Sequence, residues 1–161
     1  ISRNIGVVSS APYNHFKDKE HLIKELISVG KTKLLDAIAA EKNKSSLPKE
    51  QLLFIAKAYL KFAMKEKALF ELMFSQTKKD LLHLTDKIVL QFEMCISEKF
   101  KAGKRAILSE KGSAITAWAM IHGLACIINK CNQVLLEQEL NIELDKIFKE
   151  MTAIWGKGVS N

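Results

Sequence analysis

The stretch GVVSSAPYNHFKDKEHLI, Gly6 to Ile23, decides how the rest of the chain is read. Gly6 can take the left-handed conformation that closes a helix, so Ile1 to Ile5 read as the end of one. Ser9 or Ser10 can cap a second helix and leave Pro12 in its first turn, where the missing N–H costs little. Tyr13 and Phe16 then fall on one side of that short helix. Asp18 is placed to cap a third, longer helix carrying Leu22, Ile23, Leu26, Ile27, Leu34, Leu35 and Ile38, which the NKSS at Asn43 to Ser46 breaks.

Outward from there the pattern stays helical. Pro48 opens a helix in which Leu52, Ile55, Ala56, Tyr59, Phe62 and Ala63 recur at helical intervals up to Lys65. ALFELMF, Ala68 to Phe74, predicts a brief helix packed almost all round. Leu81, Leu84, Ile88, Phe92, Ile96 and Phe100 define a long amphipathic helix stopped near Gly103. Ser109 can cap an apolar helix through Ile128, and a last helix from about Asn141 turns Ile142, Ile147, Met151 and Ile154 inward until Gly156 and Gly158 end it. No repeat and no strand-like alternation of useful length interrupts this, so the fold class is all-α. The predicted division is a small head with its connecting helix, residues 1–42, whose helix, glycine turn and short second helix read as an incomplete helix-turn-helix, and a larger helical body, residues 43–161.

Composition agrees with that reading. The 161 residues suffice for one compact domain or a small head on a larger body. With 48% hydrophobic and 27% charged residues the chain is ordinary for a globular protein. Only two prolines and seven glycines interrupt segments rich in good helix formers. The net charge of +7 suits a polyanion such as nucleic acid or an acidic membrane surface. Cys95, Cys126 and Cys131 are odd in number and lack CxxC spacing, which suits buried reduced thiols and a cytoplasmic location. His122 and Cys126 share a helix face, but no further ligand set has metal spacing, so neither a metal nor a cofactor is expected. The uncharged run Gly112 to Asn129 is barely membrane-thick and holds polar residues; a helix buried inside a protein accounts for it better than a membrane span.

Groove-facing positions of a helix-turn-helix should be small or polar, and backbone contacts need donors. Ser9, Ser10, Ala11 and Asn14 meet the first need; Tyr13, His15 and Lys19 meet the second, with Lys19 at a helix N-terminus where a phosphate is favoured. Phe16 reads as a core aromatic, whereas Tyr13 can pack its ring and still reach a phosphate. In the body, Phe54, Ala58, Phe62, Leu72, Met73, Phe92 and Cys95 offer soft, adaptable walls, with Trp118 and His122 four apart on one helix face; each is equally at home in an ordinary core.

The run Gly6-Val7, Tyr13, His15-Phe16, Asp18-Lys19-Glu20 and Leu22 resembles the DNA-binding head of the TetR family of bacterial transcription regulators, whose members commonly read GVSxxxxYxHFxxKExL. Ala11-Pro12 before the tyrosine matches one branch. ALFELMF and WAMIHG, Trp118 to Gly123, resemble the WHG type of ligand-binding domain in the same family. Val8 departs from the pattern, standing where the family usually has the serine that caps the recognition helix, and the family's first helix would precede Ile1. The resemblance implies a homodimer in which the Trp118 helix and the last helix pair with their twins, with Ile121, Ala125, Ile128, Ile147, Met151 and Ile154 as interface candidates. It further implies a repressor bound to double-stranded operator DNA and released by a small apolar or aromatic effector. The other reading is a helical ligand- or partner-binding protein that does not read DNA. An enzyme has little behind it, since no Gly-rich phosphate loop, HExxH, GxSxG or paired-carboxylate motif occurs.

Overall fold

A computed structural model describes residues 16–75, 78–100, 109–132, 134, 138, 143, 146–151 and 153–154. Five helices follow one another: α1 (Lys19–Lys42), α2 (Pro48–Lys65), α3 (Lys67–Phe74), α4 (Lys78–Phe100) and α5 (Glu110–Cys131). All regular structure among the described residues is helical, as the sequence periodicity predicts.

Their ends follow from local chemistry. Asp18 is extended, and its carboxylate accepts from the His21 N–H at 2.7 Å, satisfying one of the free donors at the start of α1. Ser109 does the same for α5, accepting from the Gly112 N–H at 3.0 Å. The turn between α1 and α2 is held by Ser45, whose hydroxyl donates to Glu50 at 2.6 Å and accepts from the Leu47 N–H at 3.0 Å. Pro48 occupies the first turn of α2, where it removes no helical bond. Glu66 alone separates α2 from α3, ending one and starting the other.

α2 is the axis of the molecule, packing against α1, α3, α4 and α5. Its buried positions, Leu52, Ile55, Ala56, Ala58, Tyr59, Leu60, Phe62 and Ala63, cover far more than one stripe, which is why it must lie in the middle. Ile27, Leu34 and Ile38 of α1, Leu84, Ile88, Phe92 and Ile96 of α4, and Ala114, Ala117, Ile121, Leu124, Ala125 and Ile128 of α5 close round it into one continuous core. Ser97 of α4 donates to Glu110 of α5 at 2.6 Å, joining those two helices at one end. Lower down, the buried Asn129 side chain of α5 donates at 3.1 Å to the Ala63 carbonyl, one of the last carbonyls of α2 that the helix itself leaves free.

Three expectations need correction. Leu26, expected to face inward on α1, is 43% exposed, because the buried stripe of this helix runs through Ile27, Gly30, Leu34 and Ile38. Ile154 is 66% exposed, whereas Ile147 and Met151 lean on the core beside a buried Phe148. Cys131 is exposed at the last turn of α5; only Cys95 is buried, and Cys126 is half-buried. α5 is long and apolar enough to cross a membrane by length and composition, but one face of it packs on α2 and α4. The helix end at Ile1 to Ile5, the short helix after Ser9, the stop near Gly103, Ile142 and the glycines after Trp155 lie outside the described residues.

Replacing Asn129 with Ala should cost about 1–3 kcal/mol, since it strands the buried Ala63 carbonyl. Urea unfolding followed by circular dichroism would show this as a lower midpoint with an unchanged slope.

Candidate functional site

Three helices meet at His122. Tyr59 comes from the buried axis α2, Phe70 and Phe74 from α3, and Trp118, His122 and Cys126 from successive turns of α5. Spacing of four residues puts the last three on one helix face. Trp118 and His122 stack with centroids 5.1 Å apart and planes only 21° from parallel. Phe74 lies 4.5 Å and Phe70 5.6 Å from the imidazole, and Tyr59 meets Phe70 edge-on at 5.7 Å. The imidazole therefore sits inside a box of four aromatic rings.

Both ring nitrogens are engaged. Nδ1 is 2.8 Å from the Tyr59 hydroxyl and Nε2 is 3.5 Å from the Cys126 sulfur. The Trp118 indole N–H is buried and makes no hydrogen bond of ordinary geometry. A neutral imidazole carries one proton, so His122 donates at one of its two contacts and accepts at the other.

Burial sets the charge of this box. Loss of solvent pushes the Tyr59 phenol far up, with the Trp118 contact opposing; it pulls His122 down, and raises the Cys126 thiol against the pull of Lys130. All three are uncharged near neutral pH. The box is thus uncharged, and the imidazole is its central polar group.

The nine pocket candidates do not all converge here. Trp118 and His122 do. Ala58, Phe62, Met73, Phe92 and Cys95 are buried in the common core, with Leu72 packed against it; the Cys95 thiol donates to Gln51 at 3.4 Å. Phe54 is half-buried. Sequence reasoning left out Tyr59, Phe70, Phe74 and Cys126 as site residues, although ALFELMF and the four-residue step from His122 to Cys126 were visible. Their convergence was not, because Tyr59 and His122 are 63 positions apart.

Of the interface candidates, Ile121, Ala125 and Ile128 are buried within the chain itself. The outward face of α5 instead carries Ile115, Ala119, Gly123 and Ile127, spaced every four residues. At Gly123 an added Cβ would meet nothing within 4 Å. Of the head residues only Lys19 is described, exposed at the first position of α1; Ser9, Ser10, Ala11, Tyr13, Asn14 and His15 lie outside the described residues. Among the described residues no group of three or more His, Cys, Asp or Glu side chains could hold a metal ion.

Because the folded pKa of His122 lies below the ordinary 6.5, the unfolded chain takes up this proton first as pH falls. Its contribution to stability is complete above about 6.5 and declines in acid until the folded imidazole is protonated too. His122→Asn, which keeps an acceptor for Tyr59, should be less stable than the parent at pH 7.5, with the gap narrowing at pH 5.5. Urea titrations at the two pH values check this.

Comparison with known proteins bears on the family and the fold. Residues 52–140, more than half of the chain, match the family model described as tetracyclin repressor-like, C-terminal domain. No curated protein matches the sequence. Among solved structures, a protein of unknown function from Rhodococcus sp. RHA1 superposes with a TM-score of 0.79 at 20% identity, over 99% of this chain and 82% of that one. A bacterial regulatory protein of the TetR family from Rhodococcus RHA1 superposes with a TM-score of 0.71 at 17% identity, over 99% and 83%. The two neighbours share the fold; the family model, spanning the helices that build the aromatic box, shows that the chain belongs to the TetR family of transcriptional regulators.

Proposed function

We propose that the protein is a ligand-responsive repressor in which residues 1–42 form the DNA-binding head with its connecting helix and residues 43–161 the ligand-binding and dimerisation body. The observation that carries this is the uncharged aromatic box around His122, built by the same helices that the family model covers. A small apolar or aromatic effector would compete for the Trp118, Phe70 and Phe74 faces and for the polar contacts of the imidazole. α1 leads from Lys19, next to the head, into the body beside α3, so a tilt of α1 would respace the two heads of a dimer. Two recognition helices must enter successive major grooves roughly 34–36 Å apart, and a few ångströms of error spoil the fit. A coupling of about 1–3 kcal/mol between effector and operator is enough for a five- to 150-fold change in affinity.

Cytoplasmic action on double-stranded operator DNA follows from this reading, with Ser9, Ser10, Ala11, Tyr13, Asn14, His15 and Lys19 as the contact set. The basic balance of the chain supports a salt-dependent share of the affinity. For the dimer, the outward face of α5 replaces the buried residues first favoured. Ala119 and Gly123 would let the twin helix approach closely while Ile115 and Ile127 pack beside them, and Met151 and Ile154 of the C-terminal segment remain candidates.

Full-length protein should shift DNA from upstream of its own gene in a mobility assay, and Tyr13→Phe or Lys19→Ala should weaken that binding about tenfold, roughly equally across sequences. Unchanged titrations at fixed salt would remove those residues from the contact set, and absence of any specific shift would favour the binding protein that does not read DNA. Gly123→Glu should leave the fold intact, given the open space there, and convert a dimer to a monomer by light scattering.

A further inference from the structure

The box around His122 holds more donors than acceptors. The Tyr59 hydroxyl, the Trp118 indole, the Cys126 thiol and one nitrogen of the neutral imidazole each carry a polar hydrogen. To receive them the box offers the Tyr59 oxygen, the other imidazole nitrogen and a thiol sulfur, which accepts only weakly. Two contacts are made, Tyr59 to Nδ1 at 2.8 Å and Cys126 to Nε2 at 3.5 Å, and His122 donates in one and accepts in the other.

Neither arrangement satisfies the donors. With the imidazole proton on Nδ1, the Tyr59 hydroxyl hydrogen finds no acceptor in the box; with it on Nε2, the thiol hydrogen finds none. In both, the Trp118 N–H is buried without a partner among the described residues. An unpaired buried donor is a standing cost, and an indole cannot exchange roles to relieve it, because it only donates. A molecule can reach the box without crossing the core. Tyr59 and Phe70, 0% and 2% exposed, form its floor, whereas Phe74, Trp118 and Cys126 are only partly buried and form its rim.

We propose that the box takes an uncharged aromatic molecule bearing a carbonyl or ether oxygen, and that Trp118 selects it by donating the indole N–H to that oxygen. The ring of the ligand lies against the aromatic rim, and the oxygen supplies the acceptor that the box lacks. A hydrocarbon of the same shape gains the ring contacts but leaves the donor stranded. A carboxylate also accepts, yet the buried polar side chains among the described residues are Ser113 and Asn129, and neither carries a charge to offset its lost hydration. The proposal rests on the reading of the box as the effector site and narrows the effector to one chemical class.

The test uses the full chain and two probes of one shape, acetophenone and ethylbenzene, which differ by a carbonyl in place of a methylene. Binding is followed on the indole N–H resonances of isotope-labelled protein; the chain has two tryptophans, and Trp155→Phe identifies the signal of Trp118. Acetophenone should move that signal downfield, slow the exchange of its proton with solvent and bind about tenfold more tightly than ethylbenzene, the effect of pairing one buried donor. In Trp118→Phe, which keeps a ring and loses the N–H, the two probes should bind equally. Benzoate should bind the parent more weakly than acetophenone does. Equal affinities in the parent, which need no variant to measure, would overturn the proposal, as would a preference for acetophenone that survives Trp118→Phe or tighter binding of benzoate. Binding of neither probe would overturn it together with the reading of the box as a ligand site. Acetophenone bound as expected, with operator affinity unchanged in a mobility assay, would leave the ligand class standing and remove the effector role.

Discussion

The hydrogen bond between the Tyr59 hydroxyl and His122 Nδ1 is the interaction on which the rest of this structure turns. Tyr59 is fully buried in the middle of α2, and it brings a hydroxyl into the core. An unpaired hydroxyl there would cost about 1–3 kcal/mol, a penalty that a pairing group on α5 removes. His122 is that group. Its own burial then requires a partner for the second nitrogen and rings to cover its faces, and Cys126, Trp118, Phe70 and Phe74 supply them.

The same requirement ties the site to the architecture. Tyr59 belongs to the axis helix, His122 to the helix with a free apolar face, and the phenylalanines to a short helix that also touches α1. α1 packs on both α2 and α3, and at Gly30 the side chains of Leu69 and Met73 occupy the place a Cβ would take.

α5 illustrates how one helix can serve two faces. Its inward residues complete the core of the subunit, while its outward residues stay apolar and small. Ile121, Ala125 and Ile128 belong to the inward side, whereas Ile115, Ala119, Gly123 and Ile127 are exposed. A sequence that is apolar all round carries no polar stripe from which an outward direction can be read.

What the sequence by itself determined, among the described residues, is the succession of helices α1 to α5 and the starts of three of them. Asp18, Pro48 and Ser109 act within three or four residues of themselves, through backbone groups that any helix leaves free, so their effect needs no knowledge of the fold. The paired motifs in head and body likewise marked the family before any packing was considered. Tertiary structure alone decided which side of each helix is covered and which side chains share a site. Tyr59, Phe74 and His122 meet because three helices cross, and Gly30 matters because Met73 arrives against it from 43 residues away along the chain (73 − 30). Local chemistry specifies where a helix begins and stops; the direction in which it is buried depends on the competition of all apolar faces for one core, which no single segment contains.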